Sequence, residues 1–217
     1  MKKPIKVNCI PAIWGHRGSP IGFCLESPDR KLRYVPVSKC MSTSLSEWCN
    51  QHGWNIVTDF NASINTDCRY VVVLRDPVDR WVSGIKMYLN TEHRGFDQLS
   101  DSAWSVCLDR MIMDPHTERQ WVSYHGLSLD AIHPIDFHQP DFSIFGAGAP
   151  AVIVGKSQES QEQPKRLQKF LANQRQINRL KHIYQHDYLL LKYLLGKTVP
   201  IIPHDDYNDV NIWLENT

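Results

Sequence analysis

The sequence predicts an α/β fold, a central parallel sheet flanked by helices in three layers, built by one domain over residues 1–217. Three observations carry this expectation. Tyr70-Val71-Val72-Val73-Leu74 is a continuous β-branched run, the pattern of a strand buried on both faces of a parallel sheet. The segment from Pro77 onward keeps Val78, Trp81, Val82, Ile85 and Leu89 on one helical face. Strand and helix patterns then alternate through short links, the order that builds βαβ units. The chain of 217 residues has the size of one domain and shows no internal repeat or low-complexity block.

The elements follow in order. Residues 21–25 and 32–37 flank Ser27-Pro28-Asp29-Arg30, a turn-forming cluster, and predict strand, turn, strand. Ser42, Thr43 and Ser44 fall at the start of a helix whose buried stripe is Leu45, Trp48 and Cys49. Residues 55–60 predict a further strand. After the central strand, Asp76 suits a helix N-cap and Pro77 the first helical position. Residues 151–154 predict another short strand, ended by Gly155. Pro164 opens a helix carrying Leu167, Phe170 and Leu171, and residues 177–195 read as one long amphipathic helix closed by Gly196. The tract 131–150, rich in Pro and Gly, reads as a surface connection or an acceptor-binding loop.

Lys+Arg total 24 and Asp+Glu 23, a net charge of +1, which excludes a nucleic-acid binder held by a broadly basic surface. No apolar run reaches the ~18 residues of a membrane span. Met1-Lys2-Lys3-Pro4 leads into no apolar core of a signal peptide, so a cytoplasmic protein is expected. The six cysteines include no CxxC pair, and reduced, buried thiols are expected instead of a zinc site.

Ligands of α/β folds sit where strands end and helices begin. Two loops of this chain take that place. In Ser38–Ser44, Lys39 precedes three consecutive hydroxyl residues at a helix start, where backbone N–H groups and the helix dipole favour an anion. The Walker A spacing is absent. In the second loop Arg75 ends the central strand, and Ser83 lies on the following helix. A guanidinium matches phosphate in bidentate fashion, so the pair suits a second phosphate. Ordinary ion pairing among Asp76, Asp79 and Arg80 is the plainer alternative.

Together the loops resemble the sulfotransferase superfamily that uses 3′-phosphoadenosine 5′-phosphosulfate (PAPS). Ser38-Lys39-Cys40-Met41-Ser42-Thr43-Ser44-Leu45 is similar to its 5′-phosphosulfate loop, with Ser38 where the family carries Pro and Met41 where it carries a small residue. Arg75-Asp76-Pro77-Val78-Asp79-Arg80-Trp81-Val82-Ser83 matches the 3′-phosphate motif R-D-P-x-x-R-x-x-S at every fixed position. The carbohydrate sulfotransferase branch resembles this chain most: His116 and Gln120 stand in a partial H-W-x-P-Q segment, and Gly155-Lys156 with Glu159, and Tyr184 with Asp187 and Tyr188, resemble later stretches.

The resemblance implies a P-loop-like arrangement, PAPS as co-substrate without a metal, and transfer of a sulfuryl group to a hydroxyl, in this branch that of a sugar or glycan. It also implies that Lys39, Cys40, Met41, Ser42, Thr43 and Ser44 hold the phosphosulfate and that Arg75 and Ser83 hold the 3′-phosphate. Lys39 would stabilise the leaving phosphate oxygen. The acceptor must lose a proton, and His116 is the first candidate base, Asp59 the second, with His52 and His93 behind them. A P-loop-type kinase and a non-catalytic nucleotide-binding module are the competing readings.

Overall fold

A computed structural model describes residues 23–58, 67–92, 99–124, 127–146, 148–150, 164–198 and 200. Its centre is a five-stranded sheet of β1 (Cys24–Glu26), β2 (Leu32–Val35), β3 (Asn55–Val57), β4 (Arg69–Leu74) and β5 (Ile132–Asp136), in the order β3-β1-β2-β4-β5. β2, β4 and β5 are parallel neighbours, with Val35 opposite Val72 and Leu74 opposite Asp136. β1 runs against β2 and β3. The fold is therefore α/β, as expected, but its sheet is mixed and not purely parallel. The cause is local. Ser27 accepts the amide of Arg30, and its own amide donates to Leu32, closing a turn too short for any crossover. A strand returning through so tight a turn can only be antiparallel.

Among the described residues six α-helices accompany the sheet: α1 (Ser42–Gln51), α2 (Pro77–Glu92), α3 (Asp101–Arg110), α4 (Lys165–Ala172), α5 (Gln174–Ile183) and α6 (Gln185–Leu195). The buried side chains form two clusters. One joins the strands to Leu45 and Cys49 of α1 and to Tyr188, Leu190 and Leu191 of α6. The other gathers Trp81, Ile85 and Leu89 of α2 with Cys107, Phe170 and Leu180 from the later helices. The amphipathic face of α2 is thus spent on helices, and the sheet packs elsewhere. Among the described residues no helix is long and apolar enough to cross a membrane. Cys24, Cys40, Cys49, Cys68 and Cys107 are buried and free of disulfides, as expected.

Two expectations about elements change. The tract 131–150 contains β5, which the Pro in Ile132-His133-Pro134-Ile135-Asp136 disguises; an edge strand tolerates proline because one of its sides needs no ladder hydrogen bond. The single helix over 177–195 is two, broken at Tyr184 (φ −98°, ψ 18°). Tyr184 and Asp187 are both buried and both bonded to the chain around residues 117–121, which sets where each half points. Gly196 closes α6 in the left-handed conformation, as its position predicted. The strand expected at 151–154 and the motif residues Gly155, Lys156 and Glu159 lie outside the described residues.

Candidate functional site

Three parallel strands end side by side at one edge of the sheet, and each delivers part of the site. β2 runs into Ser38–Met41, β4 into Arg75 and Asp76, and β5 into Phe137. Lys39 (φ 66°) and Met41 (φ 58°) are both left-handed. Neither is glycine, so each conformation costs on the order of 1–3 kcal/mol and persists only because the surroundings dictate it. The left-handed turn at Met41 starts α1 with no side chain capping it. Ser42, Thr43 and Ser44 thus form the first turn of the helix, where backbone amides have no carbonyl of their own helix to bond. Cys40 is fully buried beneath the loop, its thiol pushed up to about 11, chiefly by burial. It serves as loop packing: its Sγ meets Gln120 Oε1 at 3.3 Å.

What dictates the loop is a pair of arginines. The Arg75 guanidinium donates to the carbonyl of Lys39 at 3.1 Å and lies over the Phe137 ring, 4.2 Å from its centroid. Arg80, which the helix flank predicts to be a surface group, is 1% exposed. Its Nε donates to the Ser38 carbonyl at 3.1 Å and its Nη2 to the Pro115 carbonyl at 3.3 Å, while Nη1 bonds the Glu118 carbonyl. The surface ion-pair alternative therefore fails for Arg80: carbonyls of two loops have drawn it inward. Asp76 does cap α2, accepting from Val78 N at 2.9 Å and Asp79 N at 3.1 Å.

Arg80 also brings in the turn that carries His116, through the Pro115 and Glu118 carbonyls. Its carbonyl presses on Gly84 of α2 so closely that a β-carbon there would stand 2.1 Å from the oxygen. Ser83, half-buried, is the neighbouring residue on α2, two helical turns beyond Arg75. Replacing Gly84 by Ala is expected to destabilise the protein by roughly 1–3 kcal/mol, the range for overpacking. The ~1 kcal/mol that Ala gains over Gly inside a helix does not offset a clash with backbone. Thermal unfolding measures the loss, and a Gly84→Ala protein as stable as the parent would contradict the contact.

Beneath the site, Gln120 ties the pieces together. Its Oε1 accepts the Arg75 amide at 3.0 Å and its Nε2 donates to the Arg75 carbonyl at 2.7 Å. The backbone amides of Gln120 and Trp121 donate to the two carboxylate oxygens of Asp187, each at 2.9 Å. Burial pushes Asp187 up to about 6, with those amides, Arg80 and Arg119 pulling the other way. Tyr184 donates to the Thr117 carbonyl, so Tyr184 and Asp187 act as supports for the loops. Burial, helped by the nearby carboxylate of Asp76, pushes the Tyr188 hydroxyl up.

The loop Lys39, Cys40, Met41, Ser42, Thr43 and Ser44 is thus bonded to Arg75 through the Lys39 carbonyl, and Arg80 links it to the turn of His116, which packs on α2 at Gly84, next to Ser83. Asp59 and His93 lie outside the described residues. The strand before Asp59, β3, stands at the far edge, separated from β2 by β1. His52 is engaged elsewhere, stacked on Trp48 at 3.9 Å with its Nδ1 2.8 Å from the Trp48 carbonyl. Three features escaped the sequence reading. Phe137, beside Arg75, carried no local signal. Asp114 carried one, an Asp-x-His spacing that suits an Asx turn. The third is a cleft of about 140 Å³ along α1, starting at Met41 and Ser44 and walled by Trp48, Gln51, Phe142 and Pro150. A scan against protein-family models, a search of curated proteins and a search of solved structures each return no match to this chain.

Proposed function

We propose that the chain is a PAPS-dependent sulfotransferase of P-loop-like architecture, acting on a hydroxyl of a sugar or glycan. One observation carries the reading: two candidate phosphate loops, 36 residues apart in sequence, are bonded directly, Arg75 to the Lys39 carbonyl. This contact brings the strained loop, an uncapped helix start and a guanidinium together at the ends of adjacent parallel strands. Such an arrangement suits a nucleotide with charge at both its 5′ and 3′ positions. The cleft along α1 offers aromatic walls for the planar base within two helical turns of the phosphosulfate loop.

The reaction is an in-line displacement at sulfur. The acceptor oxygen forms the new S–O bond, the bond to the 5′-phosphate oxygen breaks, and that oxygen leaves on adenosine 3′,5′-bisphosphate. Lys39 and the first-turn amides and hydroxyls of α1 meet the charge that develops on the leaving oxygen. His116 takes the acceptor's proton.

Adenosine 3′,5′-bisphosphate is expected to stabilise the folded protein by about 2.7 kcal/mol at a hundred times its Kd, and AMP by much less. Equal thermal shifts for the two nucleotides would remove the 3′-phosphate site. Because Arg75 also supports the Lys39 carbonyl, Ser83→Ala is the cleaner variant: it should narrow the preference without loosening the loop.

A further inference from the structure

We propose that Asp114 is the positioning residue for His116, fixing the imidazole as the Nδ1–H tautomer so that Nε2 presents a lone pair at the site. What Nε2 then does rests on the sulfotransferase reading; the tautomer does not. Asp114 grips the histidine at two points. Its Oδ1 accepts the His116 backbone amide at 2.8 Å, and its Oδ2 lies 3.1 Å from Nδ1. An ionised carboxylate can only accept, so the second contact needs the proton on Nδ1. Burial acts to raise the Asp114 carboxyl, but the hydrogen bonds from His116 outweigh it and hold the group below the usual carboxylate range.

The turn around this pair is held from every side. Thr117 Oγ1 accepts the amides of Met113 at 2.7 Å and Asp114 at 3.2 Å. Arg80 of α2 bonds the Pro115 carbonyl, Tyr184 bonds that of Thr117, and Gly84 seats that of His116. The next charged residues in the chain are paired with each other, Arg119 Nε to Glu118 Oε1 at 3.2 Å. Within this rigid frame the His116 side chain keeps 36% of its exposure. The backbone is locked while part of the side chain stays exposed, as a presented base requires.

Asp114→Asn gives a sharp test, because the amide cannot satisfy both contacts as the carboxylate does. A backbone N–H can only donate, so the amide oxygen must face it. The NH₂ then faces Nδ1, which has to become an acceptor, and the ring proton moves to Nε2.

The experiment is ¹⁵N NMR of the histidine rings in parent and Asp114→Asn, recorded roughly two pH units above the ordinary imidazole value of about 6.5 so that the rings are neutral. It is paired with steady-state transfer from PAPS to a glycan acceptor. The expected result is Nδ1–H in the parent and Nε2–H in the variant, with kcat lowered ~10²–10⁴-fold and KM for PAPS little changed. An Nε2–H ring in the parent, or the same tautomer in both proteins, overturns the proposal whatever the activity. A tautomer switch with undiminished kcat overturns the positioning role. A tautomer switch between parent and variant, together with a parent that transfers no sulfate, upholds the Asp114–His116 arrangement and overturns the sulfotransferase reading instead.

Discussion

Lys39→Ala is expected to lose ~10²–10³ in turnover, roughly 2.7–4 kcal/mol of transition-state stabilisation, while product-nucleotide affinity stays within about tenfold, or 1.4 kcal/mol. The split follows from when the charge appears. On the proposed sulfotransferase reading, the ground-state phosphosulfate would be shared among the first-turn hydroxyls and amides of α1, with one ammonium a minor contributor. As the S–O bond breaks, charge concentrates on a single oxygen, and an interaction that strengthens there is read in kcat. The structure makes the substitution clean. The contact that shapes the loop uses the backbone carbonyl of Lys39, which Ala retains, and Ala meets the same left-handed strain at this φ of 66°. Lys39→Arg should rescue little, since a planar fork does not occupy the position of a point charge. Single-turnover kinetics with isothermal titration of adenosine 3′,5′-bisphosphate measures both quantities. A Lys39→Ala protein with near-parental turnover refutes the role.

Arg80→Met should be the most damaging single change to stability, at about 3 kcal/mol or more. Hydrogen bonds to a charged donor are worth ~1.5–3 kcal/mol each, and this guanidinium makes three, all part-buried, to backbone carbonyls that the apolar side chain cannot pair. Methionine keeps much of the volume, so the loss reports hydrogen bonding more than packing. Arg80→Lys should recover only part of it, because one ammonium cannot span the Ser38, Pro115 and Glu118 carbonyls as a fork does. Urea unfolding with an unchanged m-value is the measurement. A midpoint shift worth less than ~1 kcal/mol would mean that the three carbonyls find other donors.

The sequence made β4 and α2 legible because their signals are local: a β-branched run, an Asp-Pro start, and apolar residues at helical spacing. The mixed direction of the sheet was readable too, since the short turn at Ser27–Arg30 excludes a parallel return, but the alternation of strands and helices weighs toward an all-parallel arrangement. β5 was hidden by its proline. The break at Tyr184 was hidden by periodicity that continues through it: what bends the chain there is a hydroxyl and a carboxylate reaching residues about 67 positions away. The site divides in the same way. Lys39, the three hydroxyl residues and Arg75 announce themselves by type and order. Arg80 does not, because an arginine on a helix flank reads as solvated until the carbonyls that claim it are known. The Asp114–His116 contact is short in sequence, yet its meaning depends on Arg80, Gly84 and Tyr184 locking the turn.

The Gln120 side chain, bonded to both the N–H and the C=O of Arg75, does for that residue what a neighbouring strand would do. The sheet is thereby continued one residue beyond Leu74 without any strand, and the chain can turn at Asp76 with its backbone groups satisfied in the interior. It follows that the Arg75 loop is ordered before any ligand arrives. Its conformational entropy is lost on folding and not on association, so an anion docking there forfeits little affinity to ordering this loop.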